Sequence, residues 1–253
     1  MLRVGLTGGL GSGKSTVGAM LAGHGAYLIE ADEIGRELMQ PGQVVYGAIV
    51  ERFGAGVVTA DGALDRAELA RLAFVEGRVE ELNAIVHPAV IARQAEMAEE
   101  IGTRDGWAVV VVESALIFET KYGGETKYGG DTKYEGETGH AGEISRGVAG
   151  GRGIGGGWRE RFDCIILVAA SEEIKVERFV ARSLKGGSAT GKEIAALEAE
   201  ARRRLARQLA DAEKATACEE VLRNDGTVEE LQVQVDALWG RLRERPPGKA
   251  WEP

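Results

Sequence analysis

Cysteine is almost missing from this chain: Cys164 and Cys218 stand alone among 253 residues, too few for a disulfide framework or a thiolate metal cluster. Such usage suits a reducing cytoplasm, and both cysteines read as ordinary core or helix residues. Long apolar runs are missing too. The longest, such as residues 164–170, fall far short of the roughly 18 residues a membrane helix needs, so no bilayer-spanning segment is expected. Met1-Leu2-Arg3-Val4 passes straight into a strand-like run and a glycine loop, without the apolar stretch and small-residue cleavage site of an export signal. Positive charge is short as well. With 31 Lys and Arg against 40 Asp and Glu the net charge is -9, which disfavours a protein that gains affinity by blanketing nucleic-acid phosphates or an anionic membrane. Any phosphate binding has to be local.

What is present is enough apolar material, 44% of residues, to build a core as one domain with appendages or two small ones. Apolar runs at 2–6, 26–29, 107–112, 164–168 and, less clearly, 221–222 have the look of buried parallel strands. Helical periodicity predicts helices over 15–22, 32–39, 44–53, 65–74, 80–86, 89–101, 172–184, 193–220 and 228–243. That alternation predicts an α/β protein whose sheet is covered on both faces.

One segment breaks the pattern. From Thr120 the chain reads TKYGGE, TKYGGD, TKYEGE and then a glycine-rich run, and 14 of its 37 glycines fall in 120–157. Such a composition buries too little apolar surface to order itself, and a period of six matches no solenoid unit. A surface insertion is expected there, with Tyr122, Tyr128 and Tyr134 as its conspicuous side chains. The proline-bearing tail at 245–253 is expected to fray.

The strongest motif is Gly8-Gly9-Leu10-Gly11-Ser12-Gly13-Lys14-Ser15-Thr16. It satisfies G-x-x-x-x-G-K-[ST] between a predicted strand and a predicted helix, the context a phosphate-binding loop requires. Glycine permits backbone angles that turn successive N–H groups toward an anion, and the following helix points its positive end at the same place. Lys14 is placed to reach the β and γ phosphates of ATP, and the Ser15 hydroxyl to ligate Mg²⁺. A dinucleotide fingerprint fails, because Lys14 or Thr16 falls where its last glycine belongs.

A GTPase needs a base-reading [NT]-K-x-D, and the nearest mimic, Thr132-Lys133-Tyr134-Glu135, lies inside the repeat. Val109–Glu113 resembles the acidic strand end of an ATPase, and Glu113 is a candidate Mg²⁺ contact through water, or equally a cap for the next turn. A small-molecule kinase needs a carboxylate near the γ-phosphate and cations to cover the migrating charge. Asp32, just after the second strand, is the candidate base, and equally a candidate N-cap for the following helix. Arg178 and Arg182, four apart, share a helix face that could close over phosphates or simply be solvated.

Together these residues make a recognisable series, and the chain resembles the dephospho-coenzyme A kinases. The likeness runs through Leu6 to Thr16, Glu30-Ala31-Asp32 with Arg36, Pro41-Gly42, Arg52-Phe53-Gly54, Gly62-Ala63-Leu64-Asp65-Arg66 with Leu69 and Phe74, Leu82-Asn83 and His87-Pro88. It continues with Leu116-Ile117-Phe118-Glu119, Phe162-Asp163, Glu177-Arg178, Arg182, Arg204, Gln208, Lys214 and Asn224-Asp225-Gly226. The resemblance implies a P-loop kinase with a five-stranded parallel sheet. It divides the chain into a nucleotide-binding core (1–32, 105–119, 158–174, 215–244), a helical coenzyme A region (33–104) and a lid with its following helix (175–214). It also implies that Gly11, Ser12, Gly13, Lys14, Ser15 and Thr16 hold the ATP phosphates, that Asp32 is the base on the ribose 3′-hydroxyl, and that Arg178 and Arg182 belong to the lid. Asn224 is implied near adenine, and Arg36, Arg66 and His87 near the acceptor, although His87 also reads as a hydrogen-bonded histidine before a helix-starting Pro88.

Three departures stand out: Glu30 replaces the first Asp of D-A-D, Ala115 the proline of P-L-L, and Glu219 the Asp of an A-D pair. The reaction implied is ATP-dependent and Mg²⁺-dependent phosphorylation of dephospho-coenzyme A in the cytoplasm, with small molecules rather than nucleic acid or membrane as partners. Two other readings stay open: a different P-loop nucleoside, nucleotide or sugar-acid kinase, and a nucleotide-dependent module whose repeat recruits a protein.

Overall fold

The apolar runs pair into one sheet. A computed structural model describes residues 1–118 and 158–245; the repeat expected as an insertion, and all of the expected tail but Arg245, lie outside the described residues. Strands β1 (Leu2–Thr7), β2 (Tyr27–Glu30), β3 (Val109–Glu113), β4 (Cys164–Ala169) and β5 (Glu220–Arg223) lie in the order β2-β3-β1-β4-β5. β1 runs parallel to both neighbours, Val4 facing Val111 on one side and Cys164 on the other, and Ile166 of β4 faces Glu220 of β5. Every residue of β4 is buried, whereas the outer strands β2 and β5 are partly exposed. That is the burial pattern of a parallel sheet covered on both faces. The strand order reverses beside β1, and such a switch point is where open α/β sheets bind ligands, at the carboxyl ends of the strands.

Contacts divide the described residues into two units, 1–29 with 100–118 and 158–245, and 30–99. In the first, α1 (Lys14–Gly23) and α10 (Val228–Arg243) cover the sheet. Leu231, Val235, Leu238 and Leu242, at helical spacing, meet Val17, Leu21, Val4, Ile166 and Leu222 in the core. α10 starts on a capping box, in which Glu230 N donates to Thr227 Oγ1 and Thr227 N to the Glu230 carboxylate. Helices α7 (Glu172–Leu184) and α8 (Gly191–Leu205) pack as a pair through Val176, Phe179 and Ala201. The short α6 (Trp158–Arg161) sets Trp158 edge-on against Phe118.

The long helix expected over 193–220 does not form. α8 stops at Leu205, a turn follows, α9 (Asp211–Ala215) is short, and β5 begins at Glu220. The helix-favouring composition concealed this break. Residues 220–223 gain more by pairing with β4 than by prolonging a helix, a case of tertiary contacts overriding local propensity.

In the second unit, α2 (Ala31–Leu38), α3 (Val44–Phe53), α4 (Arg66–Ala70) and most of α5 (Val79–Arg104) surround Val45, Ile49, Val57, Leu69 and Leu72. Three expectations are corrected here. α2 begins one residue early, so its N-cap is Glu30, without a side-chain cap bond, and Asp32 sits inside the first turn rather than at the cap. The expected helices 80–86 and 89–101 are one helix with Pro88 inside it. Pro88 therefore starts nothing; it removes one N–H from the ladder, a loss that a 26-residue helix packed along much of its length tolerates. The helix expected over 65–74 ends at Ala70 and passes into a π-helical turn, Arg71–Val75.

Candidate active site

The loop after β1 carries the anion-binding geometry. Gly11 and Gly13 take φ of +73° and +96°, values that side chains with a Cβ adopt only at a cost. At Gly13 a Cβ would also run into the Asn224 side chain, and at Gly11 into the backbone of Lys175. α1 then starts with Gly13 as N-cap, no side-chain cap bond and no acidic residue in its first turn. Its first N–H groups and its positive end are thereby left to an anion.

Around this loop the first unit gathers the other predicted nucleotide-site residues. Lys14 Nζ donates to the carbonyls of Gly8 and Gly9 at 2.9 and 3.3 Å. Ser15 Oγ donates to Glu113 Oε1 at 3.0 Å, joining the loop to the end of β3. Asn224, buried at the end of β5, donates through Nδ2 to the Ser12 carbonyl at 2.8 Å and accepts through Oδ1 from Arg178 Nη2 at 3.2 Å. Ser12 Oγ and Arg178 Nη1 are buried with no hydrogen-bond partner among the described residues. Orphaned donors cost stability unless something accepts from them, and phosphate oxygens are the acceptors that a glycine cradle admits. The hydroxyl and carboxylate of Ser15 and Glu113 are hard oxygen donors of the kind Mg²⁺ takes beside phosphates. Arg182, one turn beyond half-buried Arg178, is exposed.

The acceptor-side candidates all lie in the second unit. Asp32 and Arg36 are exposed, four apart on one face of α2. Arg66 is exposed at the first position of α4, which Asp65 caps by accepting from Ala67 N and Glu68 N. His87 is half-buried within α5.

Sequence reasoning passed over Lys175 at the phosphate loop and named Gln208 within the family resemblance alone, with no role. Lys175 is buried, with Nζ 2.5 Å from Asp211 Oδ2, and Gln208 Oε1 accepts from Leu10 N at 3.0 Å. A lysine on a helix ordinarily reads as solvated, and the expected unbroken helix over 193–220 hid the turn that presents Gln208. The available signal was spacing: Lys175 precedes Arg178 by three and so shares its face. Both cysteines are free, and burial pushes each thiol up to about 12. Among the described residues no helix is long and apolar enough to cross a membrane.

Residues 2–128 match the family model described as dephospho-CoA kinase. The chain belongs to that family. Curated dephospho-CoA kinases agree along the whole length: that of Corynebacterium jeikeium is 35% identical over 96% of this chain and 100% of its own, and that of Streptomyces avermitilis 34% over 100% of both. Among solved structures, TT1252 from Thermus thermophilus is similar with a TM-score of 0.63 and 27% identity, covering 95% of this chain and 97% of that one. Dephospho-CoA kinase from Campylobacter jejuni, at 13% identity and a TM-score of 0.51 over 96% and 98%, shares the fold. This membership in the dephospho-CoA kinase family makes the chain a phosphotransferase and makes ATP its co-substrate.

Proposed function

We propose that the family reaction, ATP-dependent phosphorylation of dephospho-coenzyme A in coenzyme A synthesis, runs here with a definite division of labour. Residues 11–16 and Lys14 hold the β and γ phosphates. Asp32 accepts the proton of the ribose 3′-hydroxyl as that oxygen bonds to the γ-phosphorus and the bridging oxygen leaves with ADP. Arg178, with Arg182 one turn further along α7, offsets the charge spread over the equatorial oxygens of a loose transition state. Ser15 and Glu113 would hold Mg²⁺, which when bound supplies charge neutralisation on the phosphates. Arg36, Arg66 and His87 belong to the side that binds the acceptor, and Asn224 to the nucleotide side.

The observation that carries this reading is the loop itself: an uncapped helix start behind glycines of positive φ, with buried Ser12 Oγ and Arg178 Nη1 as donors awaiting an acceptor. In this scheme Arg178 is a charge carrier held in place by Asn224, and Asp32, two residues past β2, is the only base required. ADP release measured against dephospho-coenzyme A and a panel of nucleosides and sugar acids tests the substrate, and equal turnover with another acceptor would refute it. For Asp32→Asn, turnover is expected to fall by about 10²–10⁴-fold with little change in ATP affinity. Weaker ATP binding at unchanged turnover would remove Asp32 from the base role.

A further inference from the structure

We propose that Lys175 and Asp211 form a buried brace that positions the phosphate loop and Arg178 for transfer, an inference that rests on the kinase reading above. Lys175 is 7% exposed, and its ammonium lies 2.5 Å from the carboxylate of Asp211, the first residue of α9. Two faces of the loop rest on this residue. A Cβ at Gly9 would stand 3.3 Å from Lys175 Nζ and 3.4 Å from Gln208 Oε1, and one at Gly11 would run into the Lys175 carbonyl, 3.0 Å from its Cα. Three elements therefore meet at one point: the loop, the start of α7, and the turn between α8 and α9, whose Gln208 also takes the Leu10 amide.

Burying an ammonium and a carboxylate gains little stability over a hydrophobic pair of similar volume. What such a pair does supply is register, because Lys175, buried as it is, would be left as an uncompensated charge if it lost its partner. Arg178 lies three residues along the same helix, so the register of α7 against the loop is also the register of Arg178 against the phosphates. Lys175 is thus a positioning residue, acting through the loop and through Arg178.

The full chain carrying Lys175→Met, Asp211→Asn or both decides the matter. Steady-state turnover is measured at a temperature where circular dichroism shows each variant folded, and a non-hydrolysable ATP analogue is titrated by calorimetry. Each single variant should lose about tenfold or more in kcat and bind the analogue more weakly, and the double variant should be no worse than the poorer single one, because the pair acts as a unit. Single variants within about twofold of the parent in kcat and analogue affinity would overturn the brace, as would losses that multiply in the double variant. Tighter analogue binding by Asp211→Asn would overturn it too, since that would mean that the released lysine acts on phosphate directly. Should Lys175→Met fail to fold, Asp211→Asn, an isosteric change at a side chain 18% exposed, carries the test alone. The titration needs no acceptor, so a parent enzyme inactive on dephospho-coenzyme A would refute the substrate assignment while the brace is still judged by analogue affinity.

Discussion

Single atoms decide much of the phosphate loop. Lys14 Nζ already converges with the carbonyls of Gly8 and Gly9 at the mouth of the loop, and α1 packs through Val17, Gly18 and Leu21 rather than through Lys14. Lys14→Ala is therefore expected to keep its fold by circular dichroism while kcat/KM falls by about 10²–10³-fold, the scale of losing one preorganised donor to developing charge. Gly11 is constrained twice, by φ of +73° and by the backbone of Lys175. Backbone yields less readily than a side-chain tip, so Gly11→Ala is expected to weaken binding of an ATP analogue by about tenfold or more, read by calorimetry. Unaltered affinity would mean that the loop can step away from α7.

At the scale of elements, the helices that frame the site owe their starts to short capping sequences. Thr190 and Glu193 form the box that opens α8, and Thr227 and Glu230 the one that opens α10. Both patterns are readable directly as T-x-x-E. α10 supplies Leu231, Val235, Leu238 and Leu242 to the core under the sheet, so its loss would expose β1 and β4. Thr227→Ala should cost about 1 kcal/mol in urea unfolding without a change in ATP affinity. Breaks were harder to read than starts. The stretch after Leu205 keeps helix-favouring residues to Glu220, and nothing local announces that Gln208 is needed by Leu10 or that residues 220–223 are needed by β4. The converse held at His87-Pro88, where a local breaker gave way to packing along α5.

Over the whole molecule, the two units carry different electrostatics. In the first, the buried charges Lys175 and Lys214 and the half-buried Arg178 gather near the nucleotide loop and the strand ends. In the second, Glu81 lies between Arg78 and Arg52, while Arg78 also stacks over the Phe53 ring at 4.3 Å. Hydrogen bonding from Arg78, and then from Arg52, lowers the Glu81 carboxyl to about 2. A depressed carboxylate contributes stability that is complete above its unfolded value near 4.5 and is lost as pH falls toward 2. Glu81→Gln should accordingly flatten the loss of stability between about pH 4.5 and 2, a window that acid titration of the unfolding free energy would resolve. An unchanged slope would remove that triad from the acid response.

The sequence by itself determined the chemistry of the loop, because G-x-x-x-x-G-K-S between a strand and a helix is a local instruction: glycine angles, a free helix start and one lysine need no distant partner. It also determined the alternation of apolar runs that makes a parallel sheet, since the inner strands β1, β3 and β4 are almost wholly buried and read as near-continuous apolar stretches. Tertiary structure alone decided the order β2-β3-β1-β4-β5, the meeting of Asn224 with Ser12 and Arg178 across 212 and 46 residues, and the burial of Lys175 against Asp211. Those contacts join residues far apart in the chain. Whether a lysine is solvated or buried depends on what packs over it, and no window of sequence contains its partner.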